Sequence, residues 1–470
     1  MYLKSILTTV SLLVGLVSPT FGQSSTLTKD AKKPNILFIF ADDWGWGDLS
    51  CHDHPYVKTP NIDRLAKEGS DFTRFTVASG VCSPSRTAVM TGHFPARHNV
   101  DGHFAWVPNN EQRGMPDWVD TAAPMLPRML QGAGYKTAHF GKWHLSNNMI
   151  PDSPSPAEYG YDEYGAFNCS GEQMPYDHDA RRTIAFMKKA QAENSPFFIN
   201  LWIHEPHTPF HVIPKYRQMF PEITNDADSI FAATLAYADE RVGQVLDALD
   251  ELDLADNTLV IFTSDNGPAR PKEGREPGLS YDSATGAGFD VGAAMGLTAG
   301  RKGFKASLYE GGINVPFLVR WPNKVPANKI DNDTMISAVD LLPTFSTLAG
   351  AELPNGYQAD GYSQVEALLG TASKTRTKDL FWKSTNRFSD PSKSEHWASY
   401  AVVSDKWKLL TNQDQSYIEL YDIVADPLEQ NNLASKDPET SQMLTKKLSN
   451  WIATLPTKPT GNVFSDLRKK

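Results

Sequence analysis

Four continuous apolar runs constrain this chain more than any other feature, because three of them break off in polar clusters. Asn35-Ile36-Leu37-Phe38-Ile39-Phe40 ends in Asp42-Asp43, the run 196–203 ends in His204-Glu205-Pro206-His207, and the run 258–263 ends in Asp265-Asn266-Gly267. The fourth, 315–321, follows Tyr309-Glu310-Gly311-Gly312. A strand that is apolar without alternation is covered on both faces, as in parallel sheets flanked by helices. Helical patterns lie between the runs. One spans 61–69, opened by Asn61 and stopped by Gly69; another spans 228–252, with Leu235, Val242, Val245, Leu246 and Leu249 on one stripe. The alternation predicts an α/β fold, a large mostly parallel sheet sandwiched by helices. Ligands in such folds gather beyond the carboxyl ends of the strands, where these polar clusters stand.

After about residue 370 the pattern changes. Short strand-like pieces at 398–403, 407–410 and 417–422 are separated by turn residues and followed by a helical segment at 439–455. A smaller C-terminal antiparallel sheet with a closing helix is expected at 371–470, after a larger catalytic domain at 23–370. Residues 1–22 read as a signal peptide: Lys4 supplies the charge, 6–17 the apolar stretch, and Thr20 and Gly22 the small residues near a cleavage point. The stretch is too short for an ordinary span, and no later segment is apolar enough to cross a membrane. The chain is therefore expected to be secreted or periplasmic, with no membrane span after signal cleavage.

With 470 residues the chain is long enough for a substantial core, and 45 basic against 55 acidic residues give a net charge of −10. That balance disfavours a nucleic-acid partner, which needs a basic patch, but not a small anion held in a local positive pocket. There are three cysteines, Cys51, Cys82 and Cys169. In an exported protein Cys51 and Cys169 either pair or stay as thiols; the spacing does not decide.

Asp42, Asp43, Asp265 and Asn266 offer hard oxygen donors at two strand ends, suited to Ca²⁺ or Mg²⁺. Carboxylates so placed repel one another unless a cation neutralises them. Read separately, Asp265-Asn266-Gly267 also fits a turn and Asp42-Asp43 a helix cap. In Cys82-Ser83-Pro84-Ser85-Arg86 the proline fits the first turn of a helix, whose free N–H groups suit a small anion. A buried cysteine before a proline turn is the competing reading. Gly141-Lys142-Trp143-His144 places Lys142 and His144 on one side of an extended segment, a charge-neutralising group beside a proton-transfer group. Taken alone, the pair also fits a solvated lysine and a core histidine. His207 stands between Pro206 and Pro209, with His204 as a supporting residue. Lys305 is favoured over Lys302 by its spacing to Tyr309-Glu310-Gly311-Gly312.

The stretch Val81-Cys82-Ser83-Pro84-Ser85-Arg86-Thr87-Ala88-Val89-Met90-Thr91-Gly92 resembles the signature of type I sulfatases, the formylglycine-dependent family of the alkaline phosphatase superfamily. The resemblance runs over about 33–433. It takes in Pro34-Asn35-Ile36 leading to Asp42-Asp43, Thr59-Pro60-Asn61-Ile62-Asp63, Gly141-Lys142-Trp143-His144, Pro206-His207-Thr208-Pro209, Ser264-Asp265-Asn266-Gly267 and Tyr309-Glu310-Gly311-Gly312. Glu419-Leu420-Tyr421-Asp422 with Asn431-Asn432-Leu433 resembles the family's C-terminal subdomain. The resemblance implies an alkaline phosphatase-like fold and a Cys82 converted to formylglycine by a maturation enzyme. It implies one Ca²⁺ held by Asp42, Asp43, Asp265, Asn266 and the converted residue Cys82, and charge-stabilising or proton-transfer roles for Arg86, Lys142, His144, His207 and Lys305. His93 departs from the pattern, standing where an arginine is frequent. Segments 98–119, 146–180 and 268–300 fit no shared motif and read as loops that shape a substrate pocket, with His103, Trp106 and His396 as candidate contacts.

The expected reaction is hydrolysis of a sulfate ester, with a sulfated carbohydrate or polysaccharide as partner. In the scheme the resemblance implies, a hydroxyl of hydrated formylglycine attacks sulfur, His207 or a neighbour protonates the leaving alcohol, and His144 assists release of sulfate. Two rival readings are a phosphonate or phosphate ester hydrolase of the same superfamily and a sulfated-glycan binding protein that keeps its thiol.

Overall fold

Alternate side chains of the first apolar run enter different cores. Ile36, Phe38 and Phe40 pack into one hydrophobic cluster, and Leu37, Ile39 and Ala41 into another. All seven residues of this strand, β1 (Asn35–Ala41), are buried, which is why the run shows no polar alternation. The computed structural model describes residues 32–169, 173–211, 213–270, 279–282, 286–289, 296–372, 375–385 and 398–469. His396, the signal segment and much of 271–295 lie outside them.

The main sheet contains β1, β2 (Ser70–Phe72), β3 (Lys136–Lys142), β4 (Glu163–Phe167), β5 (Phe197–Trp202), β6 (Thr258–Ser264), β7 (Phe317–Arg320) and β8 (Lys329–Asp331), in the spatial order β8-β2-β7-β6-β1-β5-β3-β4. β1 is parallel to both β5 and β6, β3 is parallel to β5, and β4 is parallel to β3. β7 runs antiparallel to its neighbours β6 and β2. The expected mostly parallel sheet is thus present, with one reversed strand.

Six longer helices matter here: α1 (Pro60–Glu68), α2 (Cys82–Thr91), α3 (Asp179–Ala192), α4 (Asp226–Glu251), α5 (Leu341–Ala349) and α6 (Pro438–Ile452). α2 and α5 cover the Phe38 face through Ala88, Val89, Met90, Leu342 and Phe345. α1, α3 and α4 cover the other through Ile62, Leu65, Met187, Leu235, Val242 and Leu246. Each such large apolar side chain contributes roughly 1.5–3 kcal/mol on burial.

Several details differ from the sequence reading. α1 opens at Pro60 after Thr59, not at Asn61, whose side chain instead donates to Asp239 Oδ2 at 2.8 Å on α4. Proline without an amide donor suits the first helical position. α4 begins at Asp226, because the Asn225 side chain accepts from the Asp228 amide. The segments read as loops contain β4, a short helix Val107–Gln112 and a hairpin pairing Leu279–Asp282 with Gly286–Phe289. β3 has no apolar run in the sequence, since it opens and closes on lysine and carries His139 in its middle, yet six of its seven residues are buried.

The second sheet is the antiparallel meander β9 (Leu380–Lys383), β10 (Tyr400–Ser404), β11 (Trp407–Thr411) and β12 (Ile418–Asp422), joined by α6. Leu444, Leu448 and Trp451 of α6 belong to the same hydrophobic cluster as Phe38 and Val89. Residues 33–470 accordingly form one compact unit. Charge also links the sheets. Lys408 of β11 is fully buried, with Nζ 2.8 Å from both Glu310 Oε1 and Glu429 Oε1, and the Glu310 amide donates to Glu429 Oε2 at 2.7 Å. Burial, with Glu310 nearby, raises the Glu429 carboxyl to about 7 despite Lys408.

Removing the cation of such a group strands buried carboxylates, at about 3–5 kcal/mol. Lys408→Met is therefore expected to lower the unfolding free energy from urea titration by about that amount, measured with a control substitution at exposed Lys469.

Candidate active site

Parallel register brings the carboxyl ends of β1, β3, β5 and β6 to one edge of the sheet. Ala41 lies opposite Ser264, and Gly141 opposite Trp202. Each strand therefore delivers its next residues into one space: Asp42 and Asp43 after β1, Asp265 and Asn266 after β6, the His204–His207 loop after β5, and Lys142 at the end of β3. Asp43 sits in the left-handed region at φ 65°, and His144 at 53°. Non-glycine residues held there cluster at functional sites.

The cluster is dominated by buried charge. Arg86, fully buried on α2, donates to Asp265 Oδ2 from Nε at 3.0 Å and from Nη2 at 2.7 Å, and from Nη1 to the Lys142 carbonyl at 3.1 Å. Phe40 and Trp202 flank its guanidinium at 5.3 and 4.8 Å. Lys142 Nζ bonds Asp42 Oδ2 and lies 3.6 Å from Cys82 Sγ. Lys305 Nζ bonds both oxygens of Asp43, at 2.5 and 2.7 Å, whereas Lys302 turns to Glu419 and Tyr421. Asn266 Nδ2 donates to Asp43 Oδ1 at 2.7 Å, and the Asp43 amide to Asp265 Oδ1 at 3.2 Å. Ligand atoms of Asp42, Asp43, Cys82 and His207 all lie within 4.8 Å of one another.

Burial works to raise the Asp42 carboxyl, but His207, Lys142, Arg86 and Lys305 outweigh it and hold it well below the usual range. Asp265 goes the other way: burial and the charge on Asp42 raise it, against Arg86 and Lys142. Such opposition between adjacent carboxylates is what a bound cation relieves. Cys82 is the first residue of α2, at the positive end of the helix dipole. Burial nevertheless pushes its thiol up to about 12, against Lys142 and Lys305, so as a thiol it is not ionised at neutral pH.

His144 does not lie on an extended segment as the sequence reading supposed. Its backbone is left-handed, and Nε2 donates to the Phe104 carbonyl at 3.0 Å. Nδ1 is buried with no hydrogen-bond partner and carries the free lone pair. Burial, followed by Lys142 and His103, keeps the ring neutral by lowering it well below the usual value. His207 is half-buried, with Nδ1 2.5 Å from the Thr208 carbonyl and Nε2 3.9 Å from Asp43 Oδ2. Burial lowers it to about 4, Lys142 and Lys305 adding to the effect against Asp42. His204 bonds the Pro209 carbonyl at 3.1 Å within the same loop.

His103 places its ring 6.4 Å from that of His144. Trp106 is 40% exposed at the start of the Val107–Gln112 helix. Cys51, Cys82 and Cys169 are free thiols. The structure also shows what holds these segments in place. Glu205 is clamped by Arg241, which also holds Asp179 at 2.9 Å, anchoring the histidine loop. Gly267 packs so closely that a Cβ there would lie 1.9 Å from the Gly311 carbonyl oxygen, locking the Asp265-Asn266 turn against the Tyr309-Glu310-Gly311-Gly312 element. Asp48, fully buried, accepts from the Gly45 amide at 2.7 Å and the Leu297 amide at 2.6 Å, fixing the chain just beyond Asp43. A lone aspartate with only backbone partners leaves no sequence signature.

Comparison with known proteins places this geometry. A sequence model described as Sulfatase matches residues 34–351, and one described as N-sulphoglucosamine sulphohydrolase, C-terminal, matches 302–458. Human arylsulfatase A is 32% identical over 398 residues, covering 75% of this chain and 71% of that protein. An N-acetylgalactosamine-6-O-sulfatase of Bacteroides thetaiotaomicron is 28% identical, covering 95% and 99%. Among solved structures, Ps i-CgsB in complex with k-i-k-neocarrahexaose superposes with a TM-score of 0.75 at 27% identity, covering 93% and 96%.

Burial raises the Asp48 carboxyl from 3.8 to about 7, against its two amide donors. A carboxyl raised on folding contributes stability that is present below its unfolded value and lost as pH rises through the folded one. Between about pH 4 and pH 7 the parent should lose up to roughly 4 kcal/mol relative to Asp48→Asn, read from urea unfolding at each pH.

Proposed function

This chain belongs to the sulfatase family and is a sulfuric ester hydrolase, and from that premise we propose that residue 82 acts as formylglycine beside one Ca²⁺ on a sulfated carbohydrate. The observation that carries the reading is the position of Cys82. It opens a helix, 3.6 Å from Lys142 Nζ and against the carboxylate cluster, with a thiol too basic to serve as it stands.

The donor set fits a hard cation. Asp42 Oδ1 and Asn266 Oδ1 are buried oxygens without a hydrogen-bond partner, an arrangement costing about 1–3 kcal/mol apiece if left unmet. Asp42, Asp43, Asp265 and Asn266 would hold the ion, which when bound neutralises the carboxylates and polarises a sulfuryl oxygen. Converted to formylglycine by a maturation enzyme, residue 82 supplies a hydrated aldehyde whose hydroxyl is the nucleophile.

The chain's own residues do the remainder. Sγ of Cys82 stands in for the oxygen that replaces it, so Lys142 lies within reach of the reacting group. Lys142 and Lys305, released from Asp42 and Asp43, neutralise the charge that spreads over the sulfuryl oxygens. Arg86 is wholly enclosed; its work is to hold Asp265 and the Lys142 carbonyl in place. His144, with Nε2 committed to Phe104, presents Nδ1 as the proton acceptor. His207 keeps Nδ1 on the Thr208 carbonyl, so the leaving alcohol takes its proton from Nε2; a docked anion favours the doubly protonated ring that this requires.

The substrate class rests on the relatives, named for N-acetylgalactosamine-6-sulfate or solved with a neocarrahexaose bound. His103 beside His144 and exposed Trp106 supply a polar and an aromatic contact of the kind a sugar ring uses. Release from the cell, to the periplasm or beyond, accords with such substrates; among the described residues no helix is long and apolar enough to cross a membrane.

Matured protein should hydrolyse an aryl sulfate and desulfate members of a panel of defined sulfated saccharides, in preference to matched phosphate esters. The peptide containing residue 82 should be lighter by about 18 Da than its cysteine form. Cys82→Ala should abolish turnover; activity retained by that variant would refute the nucleophile assignment.

A further inference from the structure

Residues 461–468, near the end of the described chain, lie beyond both matched family regions, which end at 351 and 458. They nevertheless connect to the site through a continuous series of hydrogen bonds. Asp117 is fully buried and receives Arg468 as a fork, Nε on Oδ2 at 2.7 Å and Nη2 on Oδ1 at 2.9 Å. The Ser465 amide fills Oδ2 at 2.9 Å and Asn110 Nδ2 fills Oδ1 at 3.1 Å. Forked arginine–carboxylate pairs are strong and fix direction as well as distance.

From Asp117 the series runs inward. Buried Asn110 holds the backbone of Ala105 from both sides, its Oδ1 accepting from the amide at 2.9 Å and its Nδ2 donating to the carbonyl at 3.0 Å. The preceding residue, Phe104, bridges two parts of the site. Its amide donates to Ser83 Oγ at 3.0 Å, next to Cys82, and its carbonyl receives His144 Nε2 at 3.0 Å and Asn147 Nδ2 at 3.2 Å.

The same tail grips the other side of this junction. Ser465 Oγ donates to Asp152 Oδ1 at 2.6 Å and the Asp466 amide to Asp152 Oδ2 at 2.7 Å, holding the loop that begins at Asn147. Val463 packs with Val107, Trp118 and Ile150, one residue or more from each loop. The Asp117 amide donates to the Val463 carbonyl at 2.8 Å, and Trp118 Nε1 to the Asn462 carbonyl at 2.8 Å.

We propose that residues 461–468 are a positioning strap that sets the orientation of the His144 ring, with Arg468 as its lock on Asp117. Arg468 touches no reacting atom; it acts by fixing where the Phe104 carbonyl sits, and thereby where Nδ1 of His144 points. This rests on the role of His144 given above. A misplacement of about 1 Å at a proton acceptor lowers turnover by up to about a hundredfold, so partial loosening predicts a smaller loss.

The test compares Arg468→Ala, Arg468→Lys and Lys469→Ala in the full chain, each with residue 82 conversion determined by peptide mass. Steady-state kinetics use a small aryl sulfate, and thermal unfolding is read alongside. For Arg468→Ala the expected result is kcat per converted site lower by about tenfold, with KM within about twofold of the parent. Arg468→Lys, which keeps the charge but not the fork, should fall between, and Lys469→Ala should match the parent. A purely structural role predicts a lower unfolding midpoint with kcat per converted site unchanged in Arg468→Ala, and that result overturns the strap. If Arg468→Ala does not accumulate in folded form, the same criterion applies to Arg468→Lys. A parent without turnover of any sulfate ester would instead refute the underlying reading, and the strap with it.

Discussion

Everything in this molecule is arranged around the neutralisation of three carboxylates buried at one edge of a parallel sheet. Asp42, Asp43 and Asp265 are each at most 4% exposed, and each is met by a cation carried on another element: Lys142, Lys305 and Arg86. Isolated charges in such a place would be intolerable, and even paired ones gain little for stability. Their retention therefore makes sense as chemistry. A site holding opposed charges at close quarters can exchange a lysine for a metal ion or a substrate oxygen with small net change in charge.

The second sheet is part of that arrangement. Lys408 reaches from β11 to Glu310, the residue before the Gly311-Gly312 pair that packs on Gly267. Gly267 follows Asp265 and Asn266, and the Lys305 amide donates to the Pro268 carbonyl at 2.9 Å. The antiparallel meander thus bears on the position of two ligand candidates and one lysine without contributing a side chain to the cluster. A buried salt bridge with weak net energy is well suited to fixing register of this kind.

Much of this was legible in the residue order. Unbroken apolar runs announced buried strands, and the abrupt polar ends of 35–40 and 258–263 announced where the cluster would form. Short strands with polar interiors were opaque: β3 carries His139, which is fully buried among Trp143, Tyr161 and Trp202, and nothing in Lys136-Thr137-Ala138-His139 shows that. The relation of Lys142 to His144 does not follow from spacing, because alternation assumes extended backbone and His144 adopts a left-handed conformation. Asp48, Glu205, Asp117 and Arg468 gain their meaning from partners dozens to hundreds of positions away, and no local pattern encodes such pairings. His396 falls outside the described residues.

Calcium titration of chelator-stripped protein by calorimetry tests the central assignment most directly, since it asks whether the carboxylate cluster is a cation site at all. The account predicts one ion per chain for the parent and loss of that binding in Asp43→Asn and in Asp265→Asn, with unfolding still cooperative in both. Unchanged stoichiometry and affinity in the two variants would contradict it.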